Sequence, residues 1–251
     1  MANLNGLERA QYVQAMFARI AFRYDLMNRL ITAGQDVQWR KEVIRRAALP
    51  PEGKLLDLGA GTGDLARQAQ RQHPGCLVVA ADFTLEMMRV GQARHPTDPS
   101  SMPALHWSAA DAHCLPFPEA TFDAVVSGFL LRNVSDVTGS LAEQYRVLKP
   151  GGNIVCLDTT PPSLTLAAPL VNFHLHTVIP TLGRMLTGQQ DAYRYLPEST
   201  EGFLEPEQLA ARLAAVGFQQ VRFHRLMLGN IAIHWGHKPD EAKQPVWIRV
   251  Q

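Results

Sequence analysis

The sequence predicts an α/β fold: a seven-stranded, mostly parallel sheet flanked by helices, with a helical cap at the N-terminus and a helical lid inserted before the last helix. Three observations carry this. Short β-rich runs alternate with helical runs from Lys54 to Leu157, the signature of βαβ units. The first β-rich run feeds a glycine turn that opens directly into a helix. Two closing β-rich runs flank Gly229-Asn230, a hairpin-like signal that makes the sheet mixed.

In chain order, Gly6 to Leu49 is helical in pattern and locally basic, with seven Arg and Lys between Arg19 and Arg46 against Asp25, Asp36 and Glu42. Pro50 and Pro51 end it. Strands are expected at Lys54–Leu58, Leu77–Ala81, Leu105–Ala109, Phe122–Ser127 and Asn153–Leu157, with helices at Asp64–Gln72, Thr84–Ala93 and Val137–Leu148. The stretch from Leu164 to Leu186 is apolar but broken by Pro169, His174, His176, Pro180 and Arg184, which suits a partly buried lid over about residues 161–200. A helix at Pro206–Val216 stops at Gly217, and strands follow at Val221–Leu226 and Ile231–Trp235. The expected organisation is a cap over 1–49, a main domain over 50–238 and a loosely held tail over 239–251.

Composition narrows the function. The 251 residues are 46% apolar and 19% charged, enough for a sizeable core and incompatible with a disordered chain. A net charge of +1 supplies no field for a polyanion, so no nucleic-acid partner is expected. Cys76, Cys114 and Cys156 are far apart and odd in number, giving neither a disulfide framework nor a thiolate zinc site. Neither His174 with His176 nor His234 with His237 has an obvious third ligand, so no metal is expected. With no leader and no apolar stretch near the roughly 20 residues that span a bilayer, the expected location is cytoplasmic.

The informative stretch is Leu55-Leu56-Asp57-Leu58-Gly59-Ala60-Gly61-Thr62-Gly63-Asp64. Glycines at such a turn let the backbone approach a ligand and adopt positive φ. The next strand ends at Asp82, about 20 residues on, where nucleotide-binding α/β folds place an acid for ribose hydroxyls. NAD and S-adenosylmethionine share that geometry. Here Asp57 and Asp64 flank the helix mouth; they repel a pyrophosphate but accompany an ammonium and a sulfonium, which favours S-adenosylmethionine. Asp111, in Ala110-Asp111-Ala112 after the third strand, is placed to accept from the adenine amine.

Further blocks sharpen this: Tyr24-Asp25-Leu26-Met27-Asn28 with Trp39 downstream, Leu115-Pro116-Phe117, Leu131-Arg132-Asn133-Val134, Tyr145 to Gly152, Tyr193-Arg194-Tyr195-Leu196, and Ala232-Ile233-His234 followed by Gly236-His237-Lys238. With the glycine loop they resemble the ubiquinone/menaquinone biosynthesis C-methyltransferases, a family of the class I S-adenosylmethionine-dependent methyltransferases with a Rossmann-like fold. The resemblance implies cofactor contacts at Thr62, Asp82, Asp111 and Ala112, joined by Asp57, Gly59, Gly61, Gly63 and, after the fourth strand, Gly128. The chain departs from the family pattern at Thr32 (usually Ser), Asp36 (usually His), and Gly128-Phe129-Leu130 (usually Ser-Phe-Gly), positions expected on the acceptor side.

Methylating a ring carbon of a hydroquinol requires in-line attack on the sulfonium methyl by a ring activated through loss of a phenolic proton. Arg132, just past the fourth strand, is the expected electrostatic partner of the phenolate, with Tyr24 bonding the ring oxygen. Asp25, Asn133, Tyr193 and Tyr195 are expected to line the acceptor site, Asp25 by holding the N-terminal helix over it. His176 is a weaker general-base candidate. The resemblance implies a demethylated polyprenyl quinol as acceptor, a demethylmenaquinol or a ubiquinol precursor. A lipid of this kind makes the basic N-terminal helices and the Leu164–Leu186 segment an expected peripheral docking face at the inner side of the membrane. Another small apolar acceptor, or a non-catalytic cofactor-binding subunit, are the alternatives; oligomeric state is open, a homodimer among the outcomes.

Overall fold

The centre of the fold is β1 (Lys54–Leu58), whose Leu55, Leu56, Asp57 and Leu58 are all buried, as a parallel strand covered on both faces must be. The computed structural model describes residues 6–94, 105–161, 168–187 and 190–240; within them the side chains of 7, 168, 185–187 and 190–194 lie outside the description. Around β1 stand β2 (Leu77–Asp82), β3 (His106–Ala109), β4 (Phe122–Gly128), β5 (Leu148–Thr159), β6 (Gln219–Leu226) and β7 (Ile231–His237), in the order β3-β2-β1-β4-β5-β7-β6. Strands β1 to β5 pair in parallel, and β7 is antiparallel to both β5 and β6.

That order places the site. From β1 the chain crosses through α4 (Asp64–Gln72) to β2 and through α5 (Leu85–Gln92) to β3, then returns to the other side of β1 as β4. The connections leaving β1 and β4 therefore diverge, opening a crevice at the C-terminal ends of these strands, where open α/β sheets bind ligands. Strand alternation feeds two cores. Leu55 packs with α3 (Asp36–Ala47) and α4 on one face, while Leu56 and Leu58 pack with α6 (Val137–Val147) and α10 (Pro206–Val216) on the other.

The cap is α1 (Gly6–Ile20), α2 (Tyr24–Ile31) and α3. The continuous helical pattern breaks after Thr32, where Ala33 and Gly34 take positive φ of 49° and 77°. The lid is α7 (Ala168–Phe173), a π-helical turn over His174–Val178, α8 (Ile179–Thr187) and α9 (Gln190–Glu201). Cap and lid share a third core of Met16, Ile20, Met27, Val171, Leu175, Ile179 and Tyr195.

Expected element positions hold to within a few residues, except that β5 begins at Leu148 rather than Asn153. The chain beyond β7 supplies the missing partner: Gly151 N–H donates to the Lys238 carbonyl and Lys238 N–H to that of Gly152, both at 2.8 Å. A 3-10 turn at Met227–Gly229 takes the place of a tight hairpin between β6 and β7. Residues 162–167 and 188–189 of the expected lid and 241–251 of the expected tail lie outside the described residues. Among the described residues no helix is long and apolar enough to cross a membrane.

Candidate active site

The loop after β1 is built by backbone geometry that only glycine accepts. Gly59 has a φ of 70°, and a Cβ there would stand 2.9 Å from Leu130 Cδ1. Its N–H and that of Ala60 both donate to the Ala81 carbonyl, at 2.8 and 3.0 Å, pinning the loop to the end of β2. Asp82 closes the same end: its carboxylate accepts from the N–H groups of Gly61 and Thr84, each at 2.7 Å. Burial nevertheless pushes the Asp82 carboxyl above its ordinary range, against the lowering effect of those bonds.

Asp57 sits beneath the loop, 1% exposed, with one oxygen accepting from Ala66 N–H in the first turn of α4 at 2.9 Å. Its other oxygen, Oδ1, has no partner among the described residues. Burial, opposed by the Ala66 bond and reinforced by the nearby charge of Asp82, drives its carboxyl up to about 7. Asp111 behaves differently. Although burial pushes it upward, bonds from the His113 backbone and ring, both 2.9 Å, hold it below the usual range.

These groups surround two adjoining cavities. The larger, about 290 Å³, is walled by Gly59, Gly61, Asp82, Asp111, Ala112, Gly128, Tyr24 and Asn133, and roofed by Val13, Gln14 and Phe17 of α1. The smaller, about 40 Å³, holds Asp57, Thr62, Asp25, Asn28, Arg40 and Asp64, and shares Tyr24, Gly59, Gly61, Gly128 and Phe129 with the first. A third, apolar cavity of about 40 Å³ runs between cap and lid, lined by Met16, Phe17, Ile20, Tyr24, Met27, Asn28, Arg132 and Tyr195. Tyr24 thus borders all three. Phe129 stands between compartments with a φ of 61°, an unusual conformation for a residue with a Cβ.

A model of the ubiE/COQ5 methyltransferase family matches residues 6–238. The chain belongs to this family. It is 45% identical over 232 residues to the "Ubiquinone/menaquinone biosynthesis C-methyltransferase UbiE" of Desulfotalea psychrophila, covering 92% of each chain. It is 42% identical over 224 residues to the "Demethylmenaquinone methyltransferase" of Thermus thermophilus, covering 89% of this chain and all of the relative. Among solved structures, the [4+2]-cyclase SpnF superposes with a TM-score of 0.66 at 17% identity over 92% of this chain and 96% of that one. Phosphoethanolamine N-methyltransferase 2 of Haemonchus contortus, in complex with S-adenosyl-L-methionine, gives 0.60 at 17% identity over 81% of this chain and 53% of that one. At such identity these two speak for the fold alone.

As a member of the family the enzyme is an S-adenosylmethionine-dependent methyltransferase. The site fits that group: acids line both cofactor-side cavities, and the free oxygen of Asp57 offers an unmatched buried acceptor to an ammonium. Ala112, Asp111, Asp82, Gly59, Gly61 and Gly128 fall on the large cavity and Asp57 and Thr62 on the adjoining one. Gly63 falls on neither. Its φ of 84° starts α4, and a Cβ there would meet the Trp107 ring at 2.7 Å, so its place is structural.

The acceptor-side expectations need more revision. Arg132 is not a free charge: it is 6% exposed and its Nη1 bonds Asp158 Oδ1 at 2.6 Å. Asp25 accepts from Thr62 Oγ1 at 2.7 Å and pairs with Arg94, and it lies on the smaller cavity and off the apolar one. Asn133 and Tyr195 are brought together, the tyrosine hydroxyl donating to Asn133 Oδ1 at 3.1 Å. Tyr193 lies on the same helix, and its side chain is outside the description. Asp36 is 1% exposed and paired with Arg29 and Arg40, away from every cavity described here, whereas Thr32 accepts from Asp36 N–H beneath the cap. His176 faces outward, paired with Glu201 at 2.6 Å, and His174 bonds the Ile31 carbonyl at 3.0 Å.

Sequence reasoning missed Asp158, Arg40 and the α1 roof. Asp158 had a signal, an acid at the C-terminal end of a central strand. The roof had none, because Gln14 reaches the Phe83 carbonyl at 3.0 Å across 69 residues of chain.

Two outcomes are expected. With Asp57 near 7 in the ligand-free enzyme, affinity for S-adenosylhomocysteine falls by up to ~10-fold per pH unit below 7, and calorimetry at pH 6 in two buffers records release of about one proton. Asp57→Asn flattens that pH dependence. Separately, Asp158→Asn strands the buried Arg132 cation and costs about 3–5 kcal/mol in urea unfolding.

Proposed function

We propose that this enzyme transfers a methyl group from S-adenosylmethionine to a ring carbon of a demethylated polyprenyl quinol, a demethylmenaquinol or a ubiquinol precursor. The observation that carries this reading is the meeting of cofactor-side and apolar cavities at Tyr24 and Asn28, with the apolar one running between cap and lid where a prenylated ring would be shielded from water. The quinone-biosynthesis names of the relatives at 45% and 42% identity agree with it.

When bound, S-adenosylmethionine supplies an electrophilic methyl carried on a sulfonium. Asp82 is assigned to its ribose hydroxyls, Asp111 and Ala112 to the adenine, and Asp57 with Thr62 to the amino-acid end. On the acceptor side, burial raises the Tyr24 phenol above its ordinary range, outweighing the Asn28 bond and the Arg132 charge that lower it. Tyr24 therefore stays protonated and donates to the acceptor oxygen. The Arg132–Asp158 pair holds a fixed dipole beside that oxygen, and Asn133 with Tyr195 clamps the turn after β4 to the lid.

The same reading assigns a membrane-facing surface. Phe22 in the 3-10 turn before α2 and Leu26 and Leu30 on α2 are 89%, 54% and 43% exposed, and Leu170 and Phe173 of α7 are 61% and 57% exposed. The inner faces of these elements share the cap–lid core, and the basic Arg19, Arg23 and Arg29 lie on the same cap helices.

A strain lacking this protein is expected to accumulate a demethylated quinone at the expense of the mature one; an unchanged, fully methylated pool overturns the quinol reading. For the surface, co-sedimentation with vesicles containing anionic lipid is expected, and F22S/L26S/F173S should weaken it by about tenfold or more. Equal binding of the variant would remove that assignment.

A further inference from the structure

The loop after β3 and the turn before α6 both wall the larger cavity, the first through Asp111, Ala112 and His113 and the second through Val134 and Ser135. One imidazole joins them. His113 Nδ1 lies 2.9 Å from Asp111 Oδ1, while at the other edge of the ring Asp136 N–H donates to Nε2 at 3.2 Å, with the Ser135 hydroxyl 3.4 Å away. A ring nitrogen that accepts from a backbone N–H carries no proton, so the proton sits on Nδ1 and is donated to Asp111. The backbone N–H of His113 donates to the same oxygen, also at 2.9 Å.

Two donors on Oδ1 have two consequences for Asp111. They restrain rotation of the carboxylate, leaving Oδ2 as the oxygen with no donor among the described residues. Against the burial that pushes the carboxyl upward, they also hold it below its usual range, so the group stays ionised and can only accept. Such an acceptor bonds the exocyclic amine of adenine and repels the oxo group that replaces it in hypoxanthine. The backbone donor closes a local turn of the sort many Asp residues make. The ring donor differs, because its far edge is held by another element of the fold.

We propose that His113 is a positioning residue for adenine recognition: braced against the start of α6, its ring fixes the Asp111 carboxylate so that Oδ2 meets the amine of S-adenosylmethionine. The inference rests on the assignment of Asp111 to the adenine. It makes selectivity between amino- and oxo-purine cofactors depend on a side chain that is not itself the acceptor, and it ties the adenine wall to the turn that carries Asn133 toward the lid.

Calorimetric titration of the full chain with S-adenosylhomocysteine and with S-inosylhomocysteine, which carries the 6-oxo group, tests this. The unaltered enzyme should prefer the adenine compound about 100-fold. His113→Phe keeps a ring but loses the donor; it should cut that preference about tenfold by weakening the adenine compound alone. His113→Asn, whose amide nitrogen stands where Nδ1 stood, should restore most of it. If His113→Phe fails to fold, His113→Ala takes its place in the same comparison. A loss shared equally by both compounds, an unchanged preference, or a His113→Asn variant no better than His113→Phe overturns the inference. Asp111→Ala separates it from the assignment beneath it. Should that variant keep the full preference, the adenine reading of Asp111 has failed; should it abolish the preference while His113→Phe does not, the positioning role alone has failed.

Discussion

The bond from Thr62 to Asp25 is the constraint on which the site depends. It runs from the cofactor loop of the sheet to the first turn of α2, joining residues 37 apart in the chain, and Arg94 from the far end of α5 completes it. Beside it the cap is tied to the sheet by Gln14 reaching the Phe83 carbonyl, Arg9 the Arg132 carbonyl, and Arg40 pairing with Asp64 at 3.3 Å. With it, Tyr24 is fixed between the compartments and α1 roofs the larger one. The interaction is charge-assisted and largely removed from water, the circumstances in which a hydrogen bond contributes most.

Cap and lid belong together energetically. The sheet has its own two cores, one of them including α3, while α1, α2 and the lid helices share a third core of their own. A unit of that kind opens at lower cost than the sheet, as elements that admit a ligand must. The π-helical turn at His174–Val178 lies in this unit, and such turns break the regular ladder where helices meet ligands.

Much of this was legible in the residues. Local patterns placed the strands, since runs such as Leu77–Asp82 and Phe122–Gly128 are mostly apolar and bounded by turn residues, and the glycine loop with its downstream acids marked the cofactor side. What could not be read was pairing across the fold. Arg132 alone looks like a free cation; only the parallel register of β4 and β5 brings Asp158 beside it. Asp36 was expected on the acceptor side because it departs from the family's N-terminal signature, yet after the turn at Ala33-Gly34 it is buried against Arg29 and Arg40. The α1 roof was invisible for the same reason, being a contact between distant segments with no motif of its own.

Phe129 shows what such a fold is prepared to sustain. A side chain held in the left-handed backbone region costs on the order of 1–3 kcal/mol, a sizeable share of the net stability of a domain. Its N–H is anchored to the Leu157 carbonyl at 2.7 Å, and its ring lies 5.0 Å from the Arg132 guanidinium. A glycine would sit there without complaint but would leave no bulkhead. The benzyl group lines both cofactor-side cavities at once, so the wall they share is a single ring set by one backbone angle.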